Sequence, residues 1–180
     1  MKLRIPTLLT GLLFLTLARA TDTARDPAEY FFQETFGDFR EELELARSEG
    51  KQGILLFFEQ EECPFCHRMK TTVLNRSEVQ DYFREHFRIF SVDIEGDLEI
   101  TDFSGAHTTQ KDFAFKQFNV RATPVFAFFD LDGKLIARHT GPTSDAREFL
   151  WLGEYVIDGH YRTESFTAFK RERRRQAASG

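Results

Sequence analysis

Four segments of the chain have the apolar pattern of β-strands. Residues 54–58 form a short, continuous apolar run, which is typical of a strand buried on both faces. Residues 87–94 predict a second strand. Two further runs, 125–129 and 135–139, are separated by the tetrapeptide Asp-Leu-Asp-Gly. That turn sequence between two apolar runs predicts a β-hairpin.

The segments between these strands have the apolar spacing of helices. Apolar residues recur at intervals of three and four in 38–49, in a segment beginning at Cys63, in a segment beginning at Ser77, in 108–118 and in 144–157. Pro64 suits the first position of the second helix. Ser77 and the three residues after it read as a capping box for the third helix. Residues 95–107 lack such spacing, and we expect an acidic insertion there with room for a small hairpin.

The predicted order of elements is helix, strand, helix, strand, helix, strand, strand, helix. A strand–helix–strand unit makes two strands parallel, whereas a hairpin adds an antiparallel pair. We therefore predict an α/β fold, a three-layer sandwich with a mixed central sheet flanked by helices. We assign this domain to residues 38–161, preceded by a loose lead-in at 21–37 and followed by a C-terminal extension at 162–180.

The first twenty residues have a different character from the rest of the chain. Lys2 and Arg4 precede a short, largely apolar stretch at 5–18, and Ala18-Arg19-Ala20 offers small residues at the positions that a signal peptidase reads. The stretch is shorter than a typical membrane span. We therefore predict a signal peptide at 1–20, cleaved near Ala20, and a periplasmic location. An uncleaved membrane anchor is the alternative.

Composition and charge narrow the function classes. The 180-residue chain is 41% hydrophobic and has a formal net charge of −5 at pH 7, which suits one globular domain with a hydrophobic core. Its 21 Phe residues cluster in the predicted strands and indicate core. An acidic exported domain is not expected to bind nucleic acid. The basic run at 170–175 is expected to be a solvated end, with contact to anionic lipid or an acidic partner as the alternative.

The two cysteines of the chain, Cys63 and Cys66, are spaced Cys-Pro-Phe-Cys. They follow a buried strand and begin a helix, where unpaired backbone N–H groups and the helix dipole favour a thiolate. Cys66 lies one turn further on, close enough to attack a mixed disulfide formed at Cys63. A purely structural disulfide is disfavoured, because so small a ring stabilises a fold by only about 2 kcal/mol. The spacing therefore predicts dithiol exchange.

A second candidate site lies where the third strand begins. Thr123 and Pro124 stand directly before the strand at 125–129. Proline lacks the N–H group that a ladder needs and is tolerated at a strand's first position. Because most X-Pro bonds in folded proteins are trans, the residue pattern by itself predicts a trans bond.

Taken together, the signal peptide, the strand–Cys-x-x-Cys–helix unit, the Ala-Thr-Pro segment and the Asp-Gly hairpin resemble the thioredoxin superfamily. More narrowly, they resemble the periplasmic SoxW-like thioredoxins associated with sulfur oxidation. The resemblance implies that Cys63 is the attacking thiol and Cys66 the resolving thiol. It also implies that Pro124 is cis and faces the cysteines, and that the backbone at Thr123 pairs with a substrate segment. A protein of this kind would reduce periplasmic disulfides and be recharged by a membrane electron donor.

The active-site segment also departs from ordinary thioredoxin. Pro64 and Phe65 stand between the cysteines instead of Gly and Pro. Phe57 occupies the position of the buried acid that takes the proton from the resolving thiol. Glu59 is the candidate to substitute for that acid, although its charge would oppose a nearby thiolate, whereas a protonated His67 would favour one.

Alternatives from other classes remain open at this point. Cys63, Cys66 and His67 also satisfy Cys-x-x-Cys-His, the attachment motif for c-type haem, although the strand-rich pattern and the Ala-Thr-Pro segment argue against haem. A dithiol oxidase of the DsbA type would run the exchange in the opposite direction, but the chain has no room for its helical insertion. Structural zinc needs four ligands and these residues supply three. We expect a monomer that acts on protein disulfides without metal or cofactor.

Overall fold

The computed structural model describes residues 23–179. Its elements in chain order are α1 (Pro27–Tyr30), α2 (Phe39–Ser48), β1 (Gly53–Glu59), α3 (Pro64–Thr72), α4 (Ser77–His86), β2 (Phe87–Asp93), β3 (Glu99–Thr101), β4 (His107–Thr109), α5 (Gln110–Asp112), a π-helical turn (Phe113–Gln117), β5 (Val125–Asp130), β6 (Leu135–Thr140), α6 (Ala146–Ile157), a 3-10 turn (His160–Arg162) and α7 (Phe166–Ser179). The predicted signal peptide and its cleavage position lie outside the described residues.

Four strands form a central mixed sheet in the order β2–β1–β5–β6. Strand β1 runs parallel to β2 and antiparallel to β5, which in turn pairs antiparallel with β6. The parallel pair arises because α3 and α4 carry the chain back to the end of the sheet at which β1 begins, so that β2 runs in the same direction. Strands β5 and β6 are instead joined by the predicted hairpin. The predicted α/β sandwich with a mixed sheet is confirmed.

Helices cover both faces of the sheet. Alternate residues of a strand point to opposite faces, and in β1 Leu55 and Phe57 belong to one buried cluster while Leu56 and Phe58 belong to the other. The first cluster lies under α3, α4, α6 and α7. The second lies under α2, the π-helical turn and Ile100 of β3. Both faces of β1 are therefore buried, as its continuous apolar run predicts.

Phenylalanine fills both clusters. Every one of the largest fully buried side chains is a Phe. On one face the ring of Phe149 in α6 stacks 4.4 Å from Phe83 in α4 and lies 4.7 Å from Phe126 in β5. On the other face Phe103 lies 4.6 Å from Phe129. Aromatic pairs at these separations add to the stabilisation from buried area, and the prediction that the Phe residues form core is confirmed for these positions.

Two helix assignments from the sequence need correction. Helix α4 begins at Ser77 itself, so its N-cap is Arg76, which makes no side-chain capping hydrogen bond. The hydroxyl of Ser77 instead accepts a hydrogen bond from the backbone N–H of Thr23. The helix predicted at 108–118 is divided between β4, the short α5 and the π-helical turn, because the first residues of that segment pair with β3.

The hairpin that we expected in the acidic insertion is present, but its second strand continues two residues beyond 107, to Thr109. Strands β3 and β4 pair antiparallel, and Asp102 closes the turn by accepting hydrogen bonds from the N–H groups of Ser104 and Ala106. Burial acts to raise the pKa of Asp102, but these bonds, with those from the Ser104 hydroxyl and the Gln117 amide, outweigh burial and lower the pKa. The hairpin is thus anchored to the π-helical turn through Gln117.

The lead-in at 21–37 is not loose from Thr23 onward. Phe31 is fully buried in the first cluster, against α4 and α6. The guanidinium group of Arg25 donates to Gln80 and pairs with Asp81 of α4. Burial of the apolar Phe31 side chain in the core holds this segment in place. The sequence alone missed this, because the segment has only a weak helical pattern.

The basic C-terminal run is helical, and some of its basic residues pair with the fold, whereas others such as Arg171 are exposed. Helix α7 places Phe169, 6% exposed, on α6. Lys170 and Arg174 pair with Glu148, which is 4% exposed, at 2.7 and 3.0 Å. Burial of a carboxylate requires such partners, so the basic residues serve the fold. None of the helices within residues 23–179 has the length and apolar character needed to cross a membrane.

Candidate active site

The two cysteines lie at the junction of β1 and α3 and form a disulfide bond. Cys63 is the N-cap residue of α3, Pro64 occupies the first helical turn, and the backbone N–H of Cys66 donates to the Sγ of Cys63 at 3.1 Å. Cys63 is 8% exposed and Cys66 is 2% exposed. Both cysteines belong to the first cluster. We call the Cys63 sulfur the outer one, because Cys63 is the less buried of the two residues and lies at the helix N-terminus, and the Cys66 sulfur the inner one.

The start of α3 favours negative charge on the outer sulfur. The first turn of the helix contains no acidic residue, and the backbone N–H of Cys66 in that turn points at the Cys63 sulfur. A helix N-terminus stabilises a thiolate by this dipole and by hydrogen bonding. Once reduced, Cys63 thus has the environment of a nucleophilic cysteine.

A second loop meets the cysteine loop at the same edge of the sheet. Phe58 of β1 pairs with Val125 of β5, so the end of β1 and the start of β5 are adjacent. The Thr123–Pro124 peptide bond at the start of β5 is cis. The carbonyl of Pro124 accepts a hydrogen bond from the N–H of Gly141, which extends the β5–β6 ladder up to the proline.

Gln60 connects the two loops. Its side-chain Oε1 accepts a hydrogen bond from the hydroxyl of Thr123 at 2.9 Å. Its Nε2 donates to Oε1 of Glu95 at 2.9 Å. Sequence reasoning missed Gln60, because a polar residue between a strand and a cysteine motif carries no signal of its own. Its contacts span 63 and 35 positions of sequence.

The four residues predicted to modulate the site occupy different environments. Pro64 and His67 are exposed, and the backbone N–H of His67 donates to the carbonyl of Cys63 at 3.0 Å. Phe65 is 56% exposed although it is a large apolar side chain. Glu59 is half-buried, pairs with Lys70 at 2.6 Å and accepts a hydrogen bond from the Ser91 hydroxyl.

The position of Phe57, at which the resemblance implies a buried acid, is fully apolar. Its ring is completely buried, 5.0 Å from Phe126 and 5.6 Å from Phe32. Lys70 lies over both the Phe57 and Phe32 rings, at 5.9 and 5.8 Å from their centroids. On the same strand, Glu59 forms an ion pair with Lys70. Within residues 23–179 no cluster of His, Cys, Asp and Glu could hold a metal ion.

A mixed α/β sheet with a Cys-x-x-Cys disulfide at the start of the helix after a central strand defines the thioredoxin-like oxidoreductase class, and it is consistent with thiol–disulfide exchange. The chain belongs to the thioredoxin-like domain family, whose sequence model matches residues 39–157. No curated protein sequence matches the chain closely enough to indicate a relationship.

Solved structures agree with this assignment. A thioredoxin-fold protein from Helicobacter pylori is 25% identical with a TM-score of 0.55, over 68% of this chain and 84% of its own. A DsbH oxidoreductase is 20% identical with a TM-score of 0.57, over 82% and 95%. A thioredoxin from Thermus thermophilus is 24% identical with a TM-score of 0.54, over 71% and 88%. The last two similarities show the shared fold alone.

Proposed function

We propose that the protein is an exported thiol–disulfide oxidoreductase that reduces disulfide bonds in periplasmic partner proteins. The observation that carries the proposal is the placement of Cys63 at the N-cap of α3, with the N–H of Cys66 donating to its sulfur. This arrangement supplies one sulfur at a helix N-terminus, where its thiolate is stabilised, and one more deeply buried sulfur within bonding distance.

The reaction proceeds by two exchanges. The thiolate of Cys63 attacks one sulfur of a substrate disulfide, forms a mixed disulfide and releases the other substrate sulfur as a thiolate. The thiol of Cys66 then loses its proton and attacks the Sγ of Cys63, which releases the second substrate sulfur. The substrate gains two electrons and two protons, and the protein is left with the Cys63–Cys66 disulfide.

The loop at Thr123 and Pro124 serves as the docking site for the substrate chain. An extended segment beside the substrate cysteine would add to the backbone at Thr123 as a short strand. Phe65, more than half exposed between the cysteines, offers an apolar contact on the other side of the disulfide. Both contacts act on a polypeptide and neither requires a particular sequence, which suits a reductase of several protein partners.

Glu59 takes the part of the missing acid in this proposal. Phe57 has no group that can accept the proton of Cys66, whereas the Glu59 carboxylate follows on the same strand and is held by Lys70 and Ser91. The proposal assigns to Glu59 the acceptance of that proton in the second exchange. His67 and Pro64 adjust the stability of the Cys63 thiolate from the exposed side of α3.

The proposed reductive direction and the proposed periplasmic location rest on the sequence. The resemblance to SoxW-like thioredoxins favours a reductant that a membrane electron donor recharges, and the signal-peptide pattern at 1–20 favours the periplasm. The basic α7 does not serve as an anchor in this proposal, since Lys170 and Arg174 are engaged with Glu148.

A redox titration tests the chemistry and its direction. The mature protein is equilibrated in thiol–disulfide buffers, and the free thiols of Cys63 and Cys66 are counted by alkylation and mass. A reversible couple at about −270 mV supports a thioredoxin-like reductant, whereas one above roughly −180 mV indicates an oxidase or isomerase. Two thiols that never titrate would overturn dithiol exchange, and a coloured protein with both sulfurs blocked would indicate c-type haem.

The mass of protein recovered from the periplasm tests cleavage after Ala20.

A further inference from the structure

Three loops converge at the edge of the sheet that carries the disulfide. The parallel strands β1 and β2 end side by side, since Glu59 pairs with Asp93. Gln60 and Glu95 therefore lie in neighbouring loops, and Thr123 lies in the loop that precedes β5 at the same edge. Each loop contributes one polar side chain, and the three form a chain of hydrogen bonds from Glu95 through Gln60 to Thr123.

We propose that Gln60 and Glu95 are positioning residues that hold the Thr123 loop in the conformation that receives the substrate strand. This inference rests on the proposed function, because it assigns a role in substrate docking. It also gives the acidic insertion a task in the reaction, because Glu95 is its first residue.

The charge of Glu95 sets the direction of the whole chain of bonds. A carboxylate accepts hydrogen bonds and donates none, so it must face the NH₂ group of Gln60. The carbonyl of the same amide then faces Thr123 and accepts the bond from its hydroxyl. With the amide reversed, its carbonyl would face the carboxylate and the two oxygens would repel each other.

The backbone at Glu95 is itself held by hydrogen bonds. Its backbone N–H donates to Oδ1 of Asp93 at 2.9 Å, and the N–H of Asp93 donates to the side chain of Gln110 in α5. The N–H of Ile94 donates to the carbonyl of Glu59. The hydrogen bonds that lead from the Thr123 side chain therefore continue through the Glu95 backbone to the end of β2 and to α5.

The bond between Thr123 and Gln60 determines which groups of Thr123 remain available to the substrate. With the Thr123 hydroxyl committed to Gln60, the main chain at Thr123 presents the groups with which an incoming strand can pair. A loop already held in one conformation loses less entropy when it binds. Gln60 and Glu95 thus act on the affinity for a polypeptide, whereas a small disulfide that reacts at Cys63 without strand pairing does not need them.

Interchanging the amide and the carboxylate between positions 60 and 95 provides a matched test. Gln60→Glu places a second carboxylate against Glu95 and breaks the bond between positions 60 and 95 at neutral pH, so that the side chain bonded to Thr123 loses its own anchor. The double variant Q60E/E95Q restores it with the two chemical groups interchanged, because the amide now at position 95 can donate to the carboxylate now at position 60, which still accepts from Thr123. The single variant E95Q is the control for the loss of the Glu95 charge alone, and its amide can still bond to Gln60.

The experiment measures single-turnover reduction by the pre-reduced, full mature chain with two probes. The first is insulin, a protein disulfide, and the second is bis(2-hydroxyethyl) disulfide, a small disulfide without charge, which is not repelled by the carboxylate added in Q60E. For Q60E we expect the second-order rate constant with insulin to fall about fivefold through weaker binding, the small disulfide to react at the wild-type rate, and Q60E/E95Q to recover.

The other outcomes are decisive in different ways. Equal rates with insulin for wild type and Q60E would overturn the positioning role. Equal losses with both probes, or no recovery in the double variant, would also overturn it, since the substitution would then have damaged the cysteine site itself. Failure of the wild type to reduce either probe would instead refute the proposed function, so the two failures are distinguishable.

Discussion

The backbone N–H of Cys66 donates a hydrogen bond to the sulfur of Cys63 at 3.1 Å. This contact places the outer sulfur within the field of the helix N-terminus while the inner sulfur is covered by the core. The two cysteines are chemically alike in the sequence, and this difference in surroundings is the basis on which we propose Cys63 as the attacking sulfur and Cys66 as the resolving one.

Substitution of the resolving cysteine should trap the reaction halfway. In Cys66→Ser, the mixed disulfide at Cys63 has no internal thiol to release it, so a covalent complex with a disulfide-containing substrate should accumulate. Non-reducing electrophoresis followed by mass spectrometry measures the complex. Cys63→Ser should form no complex at all. A complex formed by Cys63→Ser but not by Cys66→Ser would reverse the assignment of roles.

The aromatic core should be sensitive at Phe149. Its ring contacts Phe83 and Phe126 and is fully buried, so Phe149→Ala should lower the free energy of unfolding by about 3–5 kcal/mol. Denaturant unfolding gives this value. Phe65→Ala is the matched control, because the Phe65 side chain is 56% exposed and its removal should change stability by less than about 0.5 kcal/mol. Equal losses in both variants would contradict this description of the core.

Stability should fall as the pH drops below neutrality, partly because of His139. Burial and the nearby Lys170 lower the pKa of His139 from its ordinary value of 6.5, while Glu148 acts in the opposite direction. Below pH 6.5 the unfolded chain therefore binds a proton that the folded protein does not, and the free energy of unfolding declines until the pH reaches the folded pKa. Phe166 packs edge-on against the imidazole ring and helps to exclude water.

The variant His139→Gln should flatten this slope. Denaturant unfolding at several values between about pH 5 and 7 measures it. A wild-type profile that is unchanged by the substitution at His139 would show that another group carries the pH dependence.

Docking of α7 should depend on Lys170. The Lys170 ammonium group pairs with the buried carboxylate of Glu148 at 2.7 Å. Burial acts to raise the pKa of Glu148, but Lys170, Ser144 and Arg174 outweigh it and lower the pKa. Lys170→Ala should reduce the free energy of unfolding by about 1–2 kcal/mol, since Ser144 and Arg174 still satisfy part of the carboxylate.

The control for this prediction is the neighbouring Arg171→Ala. Arg171 is exposed on α7, and its removal should have little effect. Because the pKa of Glu148 is lowered, the contribution of the pair is present above the ordinary carboxyl pKa and is lost as the pH falls through the folded value. The difference between the two variants should therefore shrink in acid. A difference that stays constant down to about pH 2 would contradict the ion pair as its source.

Local signals in the sequence were sufficient for most of the scaffold. The continuous apolar run of β1 and the hairpin between β5 and β6 lie close to their predicted bounds. The Cys-x-x-Cys pair lies at the start of α3, as Pro64 indicates. These features could be predicted because strand burial, turn chemistry and helix starts are set by neighbouring residues.

Contacts between distant segments decided the rest. Nothing near Phe31 indicates that it is core, and the basic run that contains Lys170 looks like a solvated end until Glu148 lies beneath it. Gln60 is an ordinary polar residue until the sheet brings Thr123 and Glu95 to its two ends. Local patterns along the chain thus specify the elements and the reacting sulfurs. Which charges are buried and which loops meet depends on the folded arrangement, because burial and Coulomb energies depend on distances through space.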